Sequence, residues 1–299
     1  MSAPTLPLRI ATYNTALVRV HLGPWDLIQP IPERPARRAA LPDALSSLDF
    51  DVIALQEVYS AGQQRWLANQ MRQRGWQAFG SSLGGAGLKR QNLGLMFLVK
   101  KGLSAETIAC QRQLPAADWT EVVIAQKGYF ALRLDGWLDL VNVHTTYGGF
   151  GKAFDGPKAQ AIRGDQLGEI GERFANTQSL VLGDFNCGPH VDLASYRHLL
   201  DQHGYVDVLD PGASNPLAYR SWDPHNPLHH SILNQEGVVH DPYHGRIDQI
   251  FASSPLATNV RASALPMFFT QNQVAARGAK MPPQVPLSDH YGLAIELAR

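Results

Sequence analysis

The sequence predicts an α/β protein, a four-layer sandwich in which two mixed β-sheets pack face to face and helices cover the outside. Short apolar runs bounded by Gly, Asp or Asn recur along the chain and outnumber the stretches with helical periodicity. The helical stretches fall between groups of strands. No linker, low-complexity tract or repeat divides the 299 residues, 44% of which are apolar, enough for a large core. Sheets and helices each expose one apolar face that must find a covering layer, and stacked layers are the economical arrangement.

In chain order, Met1 to Pro7 form a short polar lead, and Leu8-Arg9-Ile10-Ala11 opens the first strand. Arg34 to Leu48 reads as a helix because Ala39, Leu41, Ala44, Leu45 and Leu48 recur at helical spacing. Val52 to Leu55 is a buried strand, and Gln63 to Arg74 is a second helix. Strands follow at Leu93 to Val99, Phe130 to Leu134 and Leu138 to Val143. Ala159 to Phe174 is a third helix, Leu180 to Leu182 a strand, Tyr196 to His203 a short fourth helix and Ile247 to Phe251 another strand. The least regular segments, Pro211 to Arg246 and Met267 to Pro286, lead directly into Asp248 and Asp289. Long irregular segments in a compact domain are functional or disordered, and their position here favours function. Residues 8–299 are therefore expected to form one catalytic domain behind the lead of residues 1–7.

Lys plus Arg equals Asp plus Glu, 26 each, so the chain lacks the basic surplus common in nucleic-acid binders. Cys110 and Cys187 are too few for a disulfide scaffold and read as reduced thiols. The sequence shows no lysine-led signal segment and no apolar run near the roughly 20 residues of a membrane span. It thus reads as a soluble, cytoplasmic chain, secreted only by a route the sequence does not reveal.

The chemistry lies in polar residues stranded at the ends of apolar strands. Glu57 follows Val52 to Leu55, where an unpartnered buried charge is costly, so it is a candidate Mg²⁺ ligand or else a surface glutamate at a strand exit. Asn14 ends the first strand, as a second ligand or a turn residue. Asp184 and Asn186 in Gly183-Asp-Phe-Asn project to the same side of an extended chain. Asp184 suits orienting a water or binding metal, and Asn186 suits a hydrogen bond to that water or to a phosphoryl oxygen. A turn built on Asx hydrogen bonds is the structural alternative. His290, after Asp289, offers a base near neutral pH, with Asp248 to fix its tautomer. His144 ends an apolar strand and is a candidate donor to a non-bridging oxygen.

These segments resemble, in order and wording, the endonuclease/exonuclease/phosphatase superfamily, and most closely its neutral sphingomyelinase branch. The likeness runs from Ile10 to Leu297. It rests on Gln56-Glu57-Val58-Tyr59-Ser60, Asn92-Leu-Gly-Leu, Lys127-Gly128, His144-Thr145-Thr146 followed by Arg163-Gly-Asp-Gln166, and Pro286-Leu-Ser-Asp-His290. The resemblance implies a deoxyribonuclease-like sandwich and a metal-dependent phosphodiesterase. It implies metal ligation by Asn14, Glu57 and Asp289, with Mg²⁺ as the ion and Mn²⁺ as the alternative. It further implies that Asp184 and Asn186 position water and phosphate, that His144 donates to the transition state, and that His290 is the base oriented by Asp248. Ala16 stands where apurinic endonucleases carry aspartate, which weakens a DNA-repair reading.

The expected substrate is a phosphoester, a phospholipid head group first, reached through transient membrane contact by a monomer. Leu265 to Phe269 and Gly148 to Gly151 are candidate inserting segments, although ordinary packing is favoured for the former. The histidine-rich stretch His225 to His244 has no zinc spacing and reads as a polar loop at the entrance. A nuclease is the first alternative, but Arg37, Arg38, Arg72 and Arg74 fall on expected helices, where solvated faces are the default. A phosphomonoesterase acting on an inositol phosphate or other soluble phosphate is the second, and a binding module without catalysis the last.

Overall fold

The structure is a computed structural model. It describes residues 7–18, 20–22, 25–28, 31, 33–83, 91–117, 119–123, 125–148, 156–209, 219–223, 226–228, 245–268, 274–275 and 284–298. The chain runs β1 (Leu8–Asn14), the small hairpin β2 (Val20–Leu22) and β3 (Trp25–Ile28), α1 (Arg34–Ser46), β4 (Val52–Gln56), α2 (Ala61–Gln73), β5 (Trp76–Gly80) and β6 (Met96–Lys100). It continues through β7 (Ala105–Arg112), α3 (Trp119–Val123), β8 (Gly128–Leu134), β9 (Leu138–His144), α4 (Pro157–Phe174), β10 (Ser179–Asp184) and α5 (Leu193–His203). Last come β11 (Val206–Asp207), β12 (Asp248–Ala252), α6 (Ser254–Asn259), β13 (Arg261–Phe268), β14 (Val274–Ala275), β15 (Gln284–Val285) and β16 (Gly292–Ala298).

Two six-stranded sheets dominate, ordered β13-β16-β1-β4-β6-β5 and β11-β12-β10-β9-β8-β7. Each is mixed: β1 and β4 run parallel in the first, β9 and β10 in the second, and the remaining pairs are antiparallel. Ile10, Val52, Ala54, Phe97 and Ile295 of the first sheet share one core with Phe130, Leu132, Leu140, Leu182 and Ile250 of the second. On the outer face of the first sheet, Leu41 and Leu45 of α1 and Leu67 and Met71 of α2 pack on Ile53, Leu55 and Leu98. On the outer face of the second, Leu167, Ile170 and Phe174 of α4 and Leu199 of α5 pack on Val141, Val181 and Phe251. This is the expected four-layer sandwich.

Polar bonds stitch the two sheets together inside the core. Asn142 Nδ2 on β9 donates to the carbonyls of Leu55 (3.0 Å) and Met96 (2.9 Å), and Gln56 Nε2 donates to Asn142 Oδ1 at 2.7 Å. Buried groups of this kind are tolerated only when partnered, so the network fixes how the sheets sit on each other.

Three of the four arginines weighed as a basic surface are engaged within the fold, and Arg72 is exposed. Arg37 is buried, against the expectation of a solvated face, and its guanidinium donates to the carbonyls of Thr15, Ala16 and Leu287. Arg38 lies over the Trp66 ring at 4.1 Å, and Arg74 pairs with Asp43 at 2.6 Å. A guanidinium carries five donors in a fixed fork, so it can tie together carbonyls that end two separate segments.

Leu265 packs against the outer core of the first sheet, as ordinary strand packing requires. Phe269, residues 149–151 and most of His225 to His244 lie outside the described residues. No helix among the described residues is long and apolar enough to cross a membrane.

Candidate active site

Register brings the predicted residues to one edge of the sandwich. In the second sheet Gly128, His144, Asp184 and Asp248 are successive cross-strand partners, so the ends of β9, β10 and β12 form one row. In the first sheet Asn14 and Gln56 are partners at the C-terminal ends of parallel β1 and β4, and Glu57 is the next residue. The segment before β16, which pairs with β1, supplies Asp289 and His290. Gly183 permits this row. Its φ is 144°, and a Cβ there would lie 2.1 Å from the Val143 carbonyl oxygen, so only glycine lets β10 approach β9 so closely before Asp184.

Two side chains are aimed by unusual backbone. Glu57 (φ 62°) and Asn186 (φ 49°) adopt the left-handed conformation. Each such residue costs roughly 1–3 kcal/mol and persists where surrounding structure enforces it, commonly at functional sites. Asn186 is held by its own turn: its N–H donates to Asp184 Oδ1 (2.9 Å) and its Nδ2 to the Thr145 carbonyl (3.0 Å). The Asx turn and the position of Asn186 at the cavity therefore coexist.

Asp184 Oδ2 is the meeting point. It accepts from Asn14 Nδ2 at 2.9 Å and lies 3.4 Å from His144 Nε2. Burial opposes its charge, but the positive charges of His290 and Lys127 help hold its carboxyl below the ordinary value. Asn14 Nδ2 also lies 3.4 Å from His290 Nε2, while Asn14 Oδ1 accepts from the Ala16 N–H at 3.0 Å.

His290 Nδ1 and Asp248 Oδ2 are 2.8 Å apart, and the Asp248 N–H donates to Ser221 Oγ at 2.9 Å. In the neutral imidazole, a carboxylate on Nδ1 makes that nitrogen the proton carrier and leaves Nε2 as the lone pair on the inward side. Burial opposes a charge on His290, yet Asp248, with Asp289 and Asp184 behind it, raises the imidazole above its ordinary value. Burial likewise pushes Asp248 up, against the pull of His290. Ser288 Oγ donates to the Asn14 carbonyl (2.6 Å) and accepts from the His290 N–H (3.1 Å), coupling the end of β1 to His290.

Sequence reasoning gave no role to Lys127, Tyr147 or Trp222, which line the cavity beside the predicted residues. Lys127 Nζ lies 2.5 Å from His144 Nε2. Burial, and then the Lys127 charge, drive the His144 pKa down to about 3. An ammonium only donates, so this contact makes Nε2 of the neutral His144 the acceptor and leaves its proton on Nδ1. The Lys127-Gly128 dipeptide was visible in the sequence. The missing signal was register: Gly128 pairs with His144, so the residue before it reaches the site. Trp222 packs edge-on against His290, with ring centroids 5.0 Å apart. Tyr147 follows Thr146, whose hydroxyl donates to Glu121 and whose N–H donates to Gln166 Oε1, while Arg163 donates to the Thr146 carbonyl. The Arg163 and Gln166 of the sequence motif thus hold a loop at the cavity wall.

The cavity is about 260 Å³. Its donor set suits a hard divalent cation. Burial, and then the Asp289 carboxylate, push the Glu57 carboxyl up to about 7, which an adjacent positive charge would reverse. Oxygen-rich, part-carboxylate sites of this kind are what Mg²⁺ takes. Asp184, Asp248 and His290 also bring ligand atoms within 4.8 Å of one another. Two of those groups already hold each other as an imidazole–carboxylate pair, so a cation there would have to break that pair. The Glu57–Asp289 side is the better fit. Cys187 is buried and its thiol is pushed up by burial, which leaves it inert as a nucleophile.

The profile of the endonuclease/exonuclease/phosphatase family matches residues 11–290. No curated protein matches the chain by sequence. Among solved structures, sphingomyelinase C from Streptomyces griseocarneus is 18% identical with a TM-score of 0.65, covering 98% of this chain and 99% of that one. A Staphylococcus aureus beta toxin mutant with bound magnesium ions is 14% identical with a TM-score of 0.69, at 98% and 99% coverage. D. rerio TDP2 with single-strand DNA product is 16% identical with a TM-score of 0.60, also at 98% and 99%. At these identities the likeness is one of fold.

Proposed function

The chain belongs to the endonuclease/exonuclease/phosphatase family, whose members are metal-dependent phosphoric ester hydrolases, and from that premise we propose that it is a Mg²⁺-dependent phosphodiesterase acting on a phospholipid head group. The observation that carries the chemistry is the convergence of His290, Asp184 and Glu57 on one cavity, with Asp248 bonded to His290 and Asn14 to Asp184. The choice of a lipid head group draws support from the sphingomyelinase C neighbour, the neutral net charge and the structural employment of Arg37, Arg38 and Arg74.

His290 Nε2, with Nδ1–H anchored on Asp248, takes the proton from a water oriented by Asp184 and Asn14. Asn186, fixed by Thr145, presents its carboxamide to the phosphoryl group. Lys127, seated on the neutral His144, puts a positive charge where oxygen charge grows in an in-line transition state. In this reading the donor role expected of His144 passes to Lys127, because His144 Nε2 accepts from the ammonium. Glu57 and Asp289, with Asn14 beside them, would hold a divalent cation, which when bound would supply positive charge to the phosphoryl and leaving oxygens and offset the carboxylates around His290. Mg²⁺ is preferred on the oxygen donor set, and the magnesium-bound beta toxin supports the same choice.

A nuclease reading has one supporting observation, the fold shared with TDP2 in complex with DNA product. The test presents sphingomyelin in mixed micelles and single-stranded DNA to the same enzyme, with Mg²⁺ or with chelator. Metal-dependent release of phosphocholine, with DNA left intact, is expected. DNA cleavage without phosphocholine release overturns the lipid reading.

A further inference from the structure

Beside the cavity the chain exposes apolar side chains that no fold requirement explains. Among the described residues, four of the six large hydrophobics left exposed fall between positions 114 and 123: Leu114 (64% exposed), Trp119 (68%), Val122 (41%) and Val123 (63%). The last three sit at i, i+3 and i+4 of α3 and share one face of its single turn. Glu121 points the opposite way. It is buried, accepts from the Ala117 N–H at 2.9 Å and the Tyr147 N–H at 3.0 Å, and accepts the Thr146 hydroxyl. The turn is therefore clamped by its polar side onto the loop that carries Tyr147 into the cavity wall, and it presents Trp and Val to solvent. Two cations flank the segment: Arg112 donates to the Val122 carbonyl at 2.9 Å, and Lys158 to the Ala117 carbonyl at 2.8 Å.

An exposed tryptophan with aliphatic neighbours, flanked by basic side chains, has the composition that lies in a bilayer interface: apolar groups at the acyl boundary, cations at the phosphate layer. We propose that α3 is a docking surface for a phospholipid bilayer, which seats the cavity next to the lipid it cleaves. The proposal rests on the lipid reading of the active site. It assigns the contact to α3, whereas the sequence had suggested segments around Leu265 and Gly148.

The experiment is co-sedimentation with phosphatidylcholine–sphingomyelin vesicles in chelator, where binding is read without turnover. Wild type is expected to bind, with a blue shift of tryptophan emission. Trp119→Ala combined with Val123→Ser should weaken binding about tenfold or more, with the thermal unfolding midpoint unchanged. Trp119→Phe should retain binding but lose most of the emission shift. Leu193→Ser, which removes an exposed apolar side chain from α5, should bind as wild type. The proposal is overturned if wild type does not bind, if the double variant binds like wild type, or if Leu193→Ser weakens binding equally. It is also overturned if ultracentrifugation shows a dimer that the double variant dissolves, because the face then belongs to a second copy. Vesicle binding through α3 without phosphocholine release in Mg²⁺ would uphold the docking surface and sink the head-group reading alone.

Discussion

Glu57 holds a carboxylate on left-handed backbone, largely out of water and next to another carboxylate, at a local cost in free energy. That cost has a measurable sign. In the metal-free fold its carboxyl keeps a proton up to about 7, against 4.5 for the ordinary group. Between those values the folded chain binds a proton that the unfolded chain has lost. The resulting stability is present in full below about 4.5 and disappears as pH rises through 7, a swing of roughly 3 kcal/mol at most. Thermal unfolding in chelator should thus show Glu57→Gln gaining on wild type as pH rises from 5 to 8, and Mg²⁺ should raise the wild-type midpoint more at pH 8 than at pH 5. A Mg²⁺ effect equal in both proteins at pH 8 would remove Glu57 from the metal site. Glu57 was legible because a charge so soon after the apolar run Val52 to Leu55 is conspicuous. Lys127 was not, because a lysine before a glycine is ordinary in sequence. Its burial arises only from the pairing of β8 with β9.

Elements explain Arg37 and the reach of sequence reasoning. Its guanidinium, on α1, ties the loop after β1 to the Leu287 carbonyl just before Asp289 and His290. Arg37→Leu would strip donors from three buried carbonyls and is expected to cost about 3 kcal/mol or more in urea unfolding. A loss under 1 kcal/mol would show that water replaces the guanidinium and that the tie is dispensable. The helices α1, α2, α4 and α5 were readable within a few residues, because each covers a sheet with an apolar stripe. Fully buried β4 and β10 were readable from the apolar runs Val52 to Leu55 and Leu180 to Leu182, and β9 and β12 from short apolar stretches interrupted by Asp139, Asn142, Asp248 and Gln249. β7 was not, since it is mostly half-exposed and its polar residues break any run. α3 escaped because five residues carry too little periodicity to register.

At the scale of the molecule, neither sheet holds the site alone. Asn14 and Glu57 come from the ends of strands in the first sheet, His144, Asp184 and Asp248 from the second, and Asp289 and His290 from the segment entering β16. The Asn142 and Gln56 bonds between the sheets set the spacing across which Asn14 reaches Asp184 and His290. Order along the chain revealed the members, because each stands at or beside one end of a strand. Their distances came only with the stacking of the sheets. The substrate preference was least legible, since the cavity wall draws on Tyr147 and Trp222, which lie in irregular segments. The central claim is that this edge hydrolyses a lipid phosphodiester with His290 as base. Its most direct test is the rate of phosphocholine release from sphingomyelin by His290→Ala against wild type in saturating Mg²⁺. The predicted result is a fall of about 10²–10⁴-fold in a variant that still unfolds cooperatively. A near-wild-type rate in that folded variant would contradict it.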